Sequence, residues 1–183
     1  MSIYSWYENA ATQSTLGDTD TFMVYPAGVG PPKILTSKTL QTASGGALDT
    51  TATTLTVTQA LHGGRTVTIS SAAPIAITLP QATGTGTTYK FQIQVAATGT
   101  SHTISHANAT DVMQGVAWAL TTASANVVGY GTTATSNTIS LNGTTLGGVV
   151  GDIVEITDVK TGFFSVKLFT SPTGTTATPV SHT

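Results

Sequence analysis

The sequence predicts an all-β fold: an antiparallel β-sandwich or jelly-roll-like body carrying an extended N-terminal arm. Three observations predict it. Tyr89, Phe91, Ile93 and Val95 alternate with Lys90, Gln92 and Gln94, the period of two expected of a strand with one buried and one polar face. Short alternating runs of this kind recur through most of the chain, separated by Gly, Thr and Asn turns, with no convincing helix between them. Threonine supplies roughly a fifth of the residues, far above ordinary usage. Its β-branched side chain suits a pleated surface, and its hydroxyl solvates an outward face without charge.

Taken in order, residues 1–45 read as an arm rather than a domain. Ile3, Trp6 and Tyr7 fit one face of a short helix, and Ser5 and Glu8 have capping-box spacing, over a single turn only. Residues 18–25 predict a short strand, residues 26–32 (Pro-Ala-Gly-Val-Gly-Pro-Pro) break it, and residues 33–40 resume it. Ordering a backbone residue costs about 1–2 kcal/mol, so a long arm must be pinned against a neighbour. Its aromatic start is the natural anchor.

Residues 42–46 predict a hinge, and the body runs from 46 to 170. Candidate strands centre on Leu55 and Val57, on Val67 and Ile69, and on Ile75, Ile77 and Leu79 before Pro80. The run at 88–96 follows. Weaker strands are expected at 102–105, 116–120, 127–130 and 138–141, with Trp118 assigned to the core because Val116 and Leu120 alternate around it. Residues 151–159 and 163–169 predict a closing hairpin turning at 160–162. Residues 171–183, rich in Thr and Pro, predict an extended C-terminal tail.

Composition narrows function. A chain of 183 residues is most simply one domain with an arm. Its charged fraction is 8%, against about 25% in an ordinary domain. Strand edges are usually guarded by lysine, proline or bulges, and Lys and Arg total six here. A chain with many strands and few charged guards is expected to cover its edges by docking, as an oligomer or assembly component. The net charge of −2 and the lack of a basic run argue against a nucleic-acid partner. With no cysteine, a disulfide scaffold and a thiolate metal site are excluded. The first residues lack the pattern of a secretory signal, and no stretch is long and apolar enough to span a membrane. The expectation is a protein made in the cytoplasm with no membrane partner.

The search for chemistry finds no convergent constellation. His102, His106 and Asp111 come nearest to a metal cluster. Their spacing suits a helix face, whereas the segment reads as strand and turn, so surface histidines are expected. His62, before Gly63 and Gly64, belongs to a turn. On a strand Asp152 and Asp158 share one face and Glu155 takes the other, so they form no catalytic pair. Asp18 and Asp20 lack an EF-hand loop, residues 28–30 run into prolines instead of a helix, and no serine sits in a Gly-x-Ser-x-Gly elbow. The reading is a non-enzyme with no catalytic residue, cofactor or metal. Arg65, the only arginine, stands before a strand as either an interface or a plain surface residue.

Residues 77–80 (Ile-Thr-Leu-Pro), 82–91, 102–105, 111–115, 147–158 and the aromatic run 163–169 together resemble a module of tailed-phage structural proteins. The resemblance is to podophages of marine and cyanobacterial hosts, spans most of residues 65–170, and rests on the order and spacing of short segments. It implies an antiparallel β body that trimerises. Residues 15–25 and 30–35 are similar to head-attachment segments of capsid decoration and head-fibre proteins. A single body after the arm then implies a small decoration, or cement, protein. Such a protein is a homotrimer on the outer capsid surface of the virion, with the major capsid protein as partner and the arm clamping neighbouring subunits. The candidate interface residues are Trp6, Tyr7, Phe22, Tyr25 and Lys33 in the arm, and Arg65 in the body. The alternatives are a phage head or tail fibre module that binds host-surface glycan, a glycan-degrading enzyme on a β scaffold, and a bacterial adhesin module.

Overall fold

Alternating threonines and aliphatic residues do form short strands along the described residues, where a single helical turn is the one helix. A computed structural model describes residues 21–24, 33–36, 46–121 and 126–181. It divides into two compact units, Met1–Gly46 and Ala47–Thr183. In the first, β1 (Thr21–Val24) and β2 (Lys33–Thr36) pair antiparallel, with Phe22 opposite Leu35 and Val24 opposite Lys33. The expectations placed on Trp6, Tyr7, Tyr25, Asp18, Asp20 and the helical turn at 3–8 lie outside the described residues.

The second unit contains two sheets. The seven-stranded sheet has the order β10-β9-β13-β12-β7-β5-β3, built from β3 (Leu48–Thr50), β5 (Thr66–Ile69), β7 (Thr88–Ile93), β9 (Val112–Thr121), β10 (Asn126–Gly131), β12 (Ile153–Lys160) and β13 (Phe163–Thr170). The five-stranded sheet has the order β14-β11-β8-β6-β4, from β4 (Thr54–Thr56), β6 (Ala76–Leu79), β8 (His102–His106), β11 (Thr138–Leu141) and β14 (Val180–Ser181). A single turn, α1 (Gln59–His62), is capped by the Thr58 side chain, which accepts from the Leu61 amide.

The expected antiparallel body is corrected to two mixed sheets. From β3 to β8 the chain alternates between sheets at every step, and each strand pairs parallel with the strand two before it. Thus β5 lies parallel to β3 and β7, and β6 lies parallel to β4 and β8. The intervening strand in the other sheet serves as the crossover that parallel pairing requires. Alternation of side chains reports which face is buried but carries no information on the direction of the neighbouring strand. Short connections such as residues 70–75 look like hairpin turns in sequence and in fact pass between sheets. Antiparallel pairing takes over later, in β9–β10, β12–β13, β12–β7, β11–β8 and β11–β14.

One apolar core joins the sheets. Val67, Ile69, Tyr89, Phe91, Ile93, Val154, Ile156, Phe164 and Val166 from the larger sheet meet Ile77, Leu79, Ile104, Ile139 and Leu141 from the smaller. The β7 alternation holds to Ile93, where the strand ends; Val95 is exposed rather than a fourth core position. The hairpin expected at 160–162 joins β12 and β13, with a register shift between Asp158 and Lys160. Residues 171–181 are stitched to the body: Ser140 and Asn137 donate backbone bonds to Pro179 and Ser181, and Val180 is buried. Many threonines face outward as composition suggests, though Thr50, Thr121, Thr138 and Thr170 are buried, and Thr88 and Thr157 share a hydroxyl hydrogen bond of 2.9 Å across β7 and β12.

Candidate interaction surface

Strand β9 carries apolar side chains of unequal size on its two faces. Met113, Ala117 and Ala119 point inward and are buried, whereas Val116, Trp118 and Leu120 point outward. Trp118 is therefore a surface residue and not the core residue its flanking pattern suggests. At Ala117 and Ala119 the inward side chains are small, next to the larger Val166 and Leu168 that β13 sends into the core. Gly115 permits the approach: a Cβ there would stand 1.8 Å from the Val166 carbonyl oxygen on β13.

Register assembles the outer face. The parallel pairing of β9 with β13 sets Trp118 beside Phe169 and Val116 beside Lys167. The Trp118 and Phe169 rings stack, with their planes 12° apart and their centroids 5.1 Å from one another. On β10, Val127 stands opposite Leu120, while Gly129 and Gly131 stand opposite Trp118 and Val116. The two glycines contribute no side chain there, and among the described residues a Cβ at either one would meet nothing within 4 Å. Val116, Trp118, Leu120, Val127 and Phe169 are between 38% and 64% exposed. Lys167 and Glu155 form an ion pair of 3.7 Å next to this patch. Farther along the sheet the face turns polar, through Lys90 and Gln92 on β7 and Thr66 and Thr68 on β5.

The residues singled out for chemistry are used elsewhere. His102 is fully buried instead of on the surface; its Nδ1 accepts from the Ile75 amide, and burial pushes the imidazole below its usual value. The His106 ring stacks on Phe164 at 6.4 Å. The Oδ2 atom of Asp111 accepts from the Ala82 amide. Among the described residues no three His, Asp or Glu side chains converge as metal ligands. His62 ends α1 and is buried, with Nδ1 accepting from the Thr58 amide.

The acidic residues of β12 and its approach take separate tasks. Asp158 gathers the amides of Thr83, Gly84 and Thr85 and the Thr85 hydroxyl. Asp152 accepts from the Gly148, Val149 and Ser171 amides. Both turn inward and Glu155 turns outward, as strand parity requires. Arg65 is nearly buried and donates to the Leu61 carbonyl at 3.2 Å, a position inside the α1 turn and not on an accessible contact face. Phe22 and Lys33 fall in β1 and β2.

Alternation around Trp118 predicts an inward face for Val116, Trp118 and Leu120, and the structure turns that parity outward. The available signal was the pattern Val-Ala-Trp-Ala-Leu, in which both parities are apolar and the smaller parity can serve the core. Comparison of the chain with protein-family profiles, curated proteins and solved structures gives no match.

Proposed function

We propose that the chain is a structural component of a phage particle: a homotrimeric cement protein on the outside of the capsid. In this reading the 47–183 unit is a sandwich with jelly-roll character facing solvent, and the N-terminal arm clamps neighbouring capsid subunits. The observation that carries it is the apolar face of Val116, Trp118, Leu120, Val127 and Phe169 on an otherwise Thr-covered sheet. Contiguous exposed apolar surface of this kind is characteristic of association sites. A cement protein needs surface complementarity and many copies instead of a reaction centre, and gains avidity from repeated attachment. Binding the mature shell alone stabilises that state by mass action.

The test is copy number in purified particles of the phage encoding the chain, by quantitative mass spectrometry against the major capsid protein. A ratio comparable to the capsid subunit is expected. Absence from the particle overturns the proposal. One observation favours a second reading: the stacked Trp118 and Phe169 side chains form an exposed aromatic pair of the kind a sugar ring can pack against. A ratio far below the capsid subunit, with binding to host-surface glycan, would make the protein a head or tail fibre module.

A further inference from the structure

We propose that the outer face of β10, β9 and β13, with the open edge of β10, docks a second copy of this chain. The inference names the partner of that face and rests on the assembly reading above, though not on the capsid. Three independent features of the face argue for it.

The first is the contrast among strand edges. Of the four outermost strands in the two sheets of the 47–183 unit, β3 and β4 have three residues each and β14 has two. Short edges offer little to pair with, and β3 also carries Asp49. The fourth, β10, runs for six residues, Asn-Val-Val-Gly-Tyr-Gly, with no charge, proline or bulge. It is the one unguarded edge among the described strands of that unit, and it borders the apolar patch.

The second is area. Five side chains at the observed exposures present on the order of 400 Å² of apolar surface, at the size where patches on a monomer become functional. A standard interface removes about 800 Å² from each partner, with an apolar centre and a polar rim. The patch, the bare β10 backbone at Gly129 and Gly131, and the flanking polar residues match one such contact.

Charge is the third feature. A surface that meets its own copy must not carry a single sign at its rim. Here the nearest charges are Lys167 and Glu155, one of each sign on adjacent strands. The whole chain carries only −2, so bringing copies together meets little repulsion.

Sedimentation equilibrium of the full chain tests the proposal, with three variants. Phe169→Lys places a charge in the patch, and Gly129→Lys guards the β10 edge at a site with open space. Gln92→Lys adds the same charge to the same face, on β7 outside the patch. The expected result is an oligomeric wild type and an oligomeric Gln92→Lys. Phe169→Lys and Gly129→Lys should move to the single-chain mass of 18.6 kDa, or dissociate at a concentration at least about tenfold higher. Their far-UV circular dichroism should stay unchanged. If Phe169→Lys fails to fold, Gly129→Lys decides the question.

A monomeric wild type, or an oligomer unmoved by both patch variants, overturns the inference. A monomer that still decorates particles at capsid-like copy number overturns self-docking and leaves the proposed function standing. A monomer that binds host glycan and loses that binding in Phe169→Lys overturns it in favour of glycan binding at the Trp118 and Phe169 pair. An oligomer dissolved by the patch variants but absent from particles supports self-docking while removing the cement role.

Discussion

Buried polar side chains in this protein act as pins for loops, and Asp158 is the clearest case. Burial alone would raise its pKa, but the Thr85 and Gly84 amides, the Thr85 hydroxyl and the Thr83 amide hold it below the usual 3.8. Its stabilisation is present above that value and is lost as pH falls through the lower folded-state pKa. Replacing Asp158 with Ala strands those amides and should cost about 3 kcal/mol in urea unfolding. Asp152 has the opposite sign: burial outweighs its amide donors and raises its pKa, so ionisation of the folded state opposes stability. The histidines set a second pH window. Burial holds His102 and His62 below the usual 6.5, so below that pH the unfolded chain takes up protons first. The urea midpoint is therefore expected to fall between pH 7.5 and 5.5, and His102→Asn should flatten that slope. A midpoint rising over the same interval would contradict the assignment.

At the scale of elements, the pairing of β9 with β13 decides most. These strands are far apart in sequence and lie parallel over eight residues, from Val112 opposite Phe163 to Ala119 opposite Thr170. Gly115 lets them meet, and its amide donates to the Thr132 hydroxyl at 2.9 Å. Gly115→Ala would drive a methyl group into the Val166 backbone, which cannot rotate away. The expected cost is about 3 kcal/mol or more, against less than about 1 kcal/mol for Gly129→Ala on the edge strand. Thermal unfolding of the two variants side by side checks this, and equal losses would count against the pairing. The 171–181 segment teaches a related lesson. Its Thr and Pro content suggests an extended tail; in the structure Val180 joins the core and β14 extends the smaller sheet.

For the whole molecule, the division after Gly46 has a direct consequence. Among the described residues, every member of the buried core lies between Val57 and Val180. A fragment of residues 47–183 should therefore keep the far-UV spectrum and nearly the unfolding midpoint of the full chain. Loss of cooperative unfolding in that fragment would show that the core depends on the first 46 residues. The same fragment separates the two contacts proposed for the chain. If the β10 edge joins copies and the arm grips the shell, the fragment associates with itself and fails to decorate particles.

The sequence alone determined that this is a β protein, where most of its strands lie, and which parity each central strand buries. These follow from local chemistry, since a period of two and the Gly and Pro turns are properties of neighbouring residues. The inward faces of β5, β6, β7 and β12 were legible in this way. Strand direction, sheet membership and the outer face were not. Whether β5 lies parallel or antiparallel to β7 depends on where the chain goes between them, which alternation does not encode. Trp118 faces outward because β9 buries the opposite parity, Met113, Ala117 and Ala119, beside β13, some fifty residues away in sequence. His102 is buried because its strand sits between two others in the smaller sheet. Only tertiary pairing brings Trp118, Phe169 and Val127 onto one face, because the three come from three strands that register alone aligns.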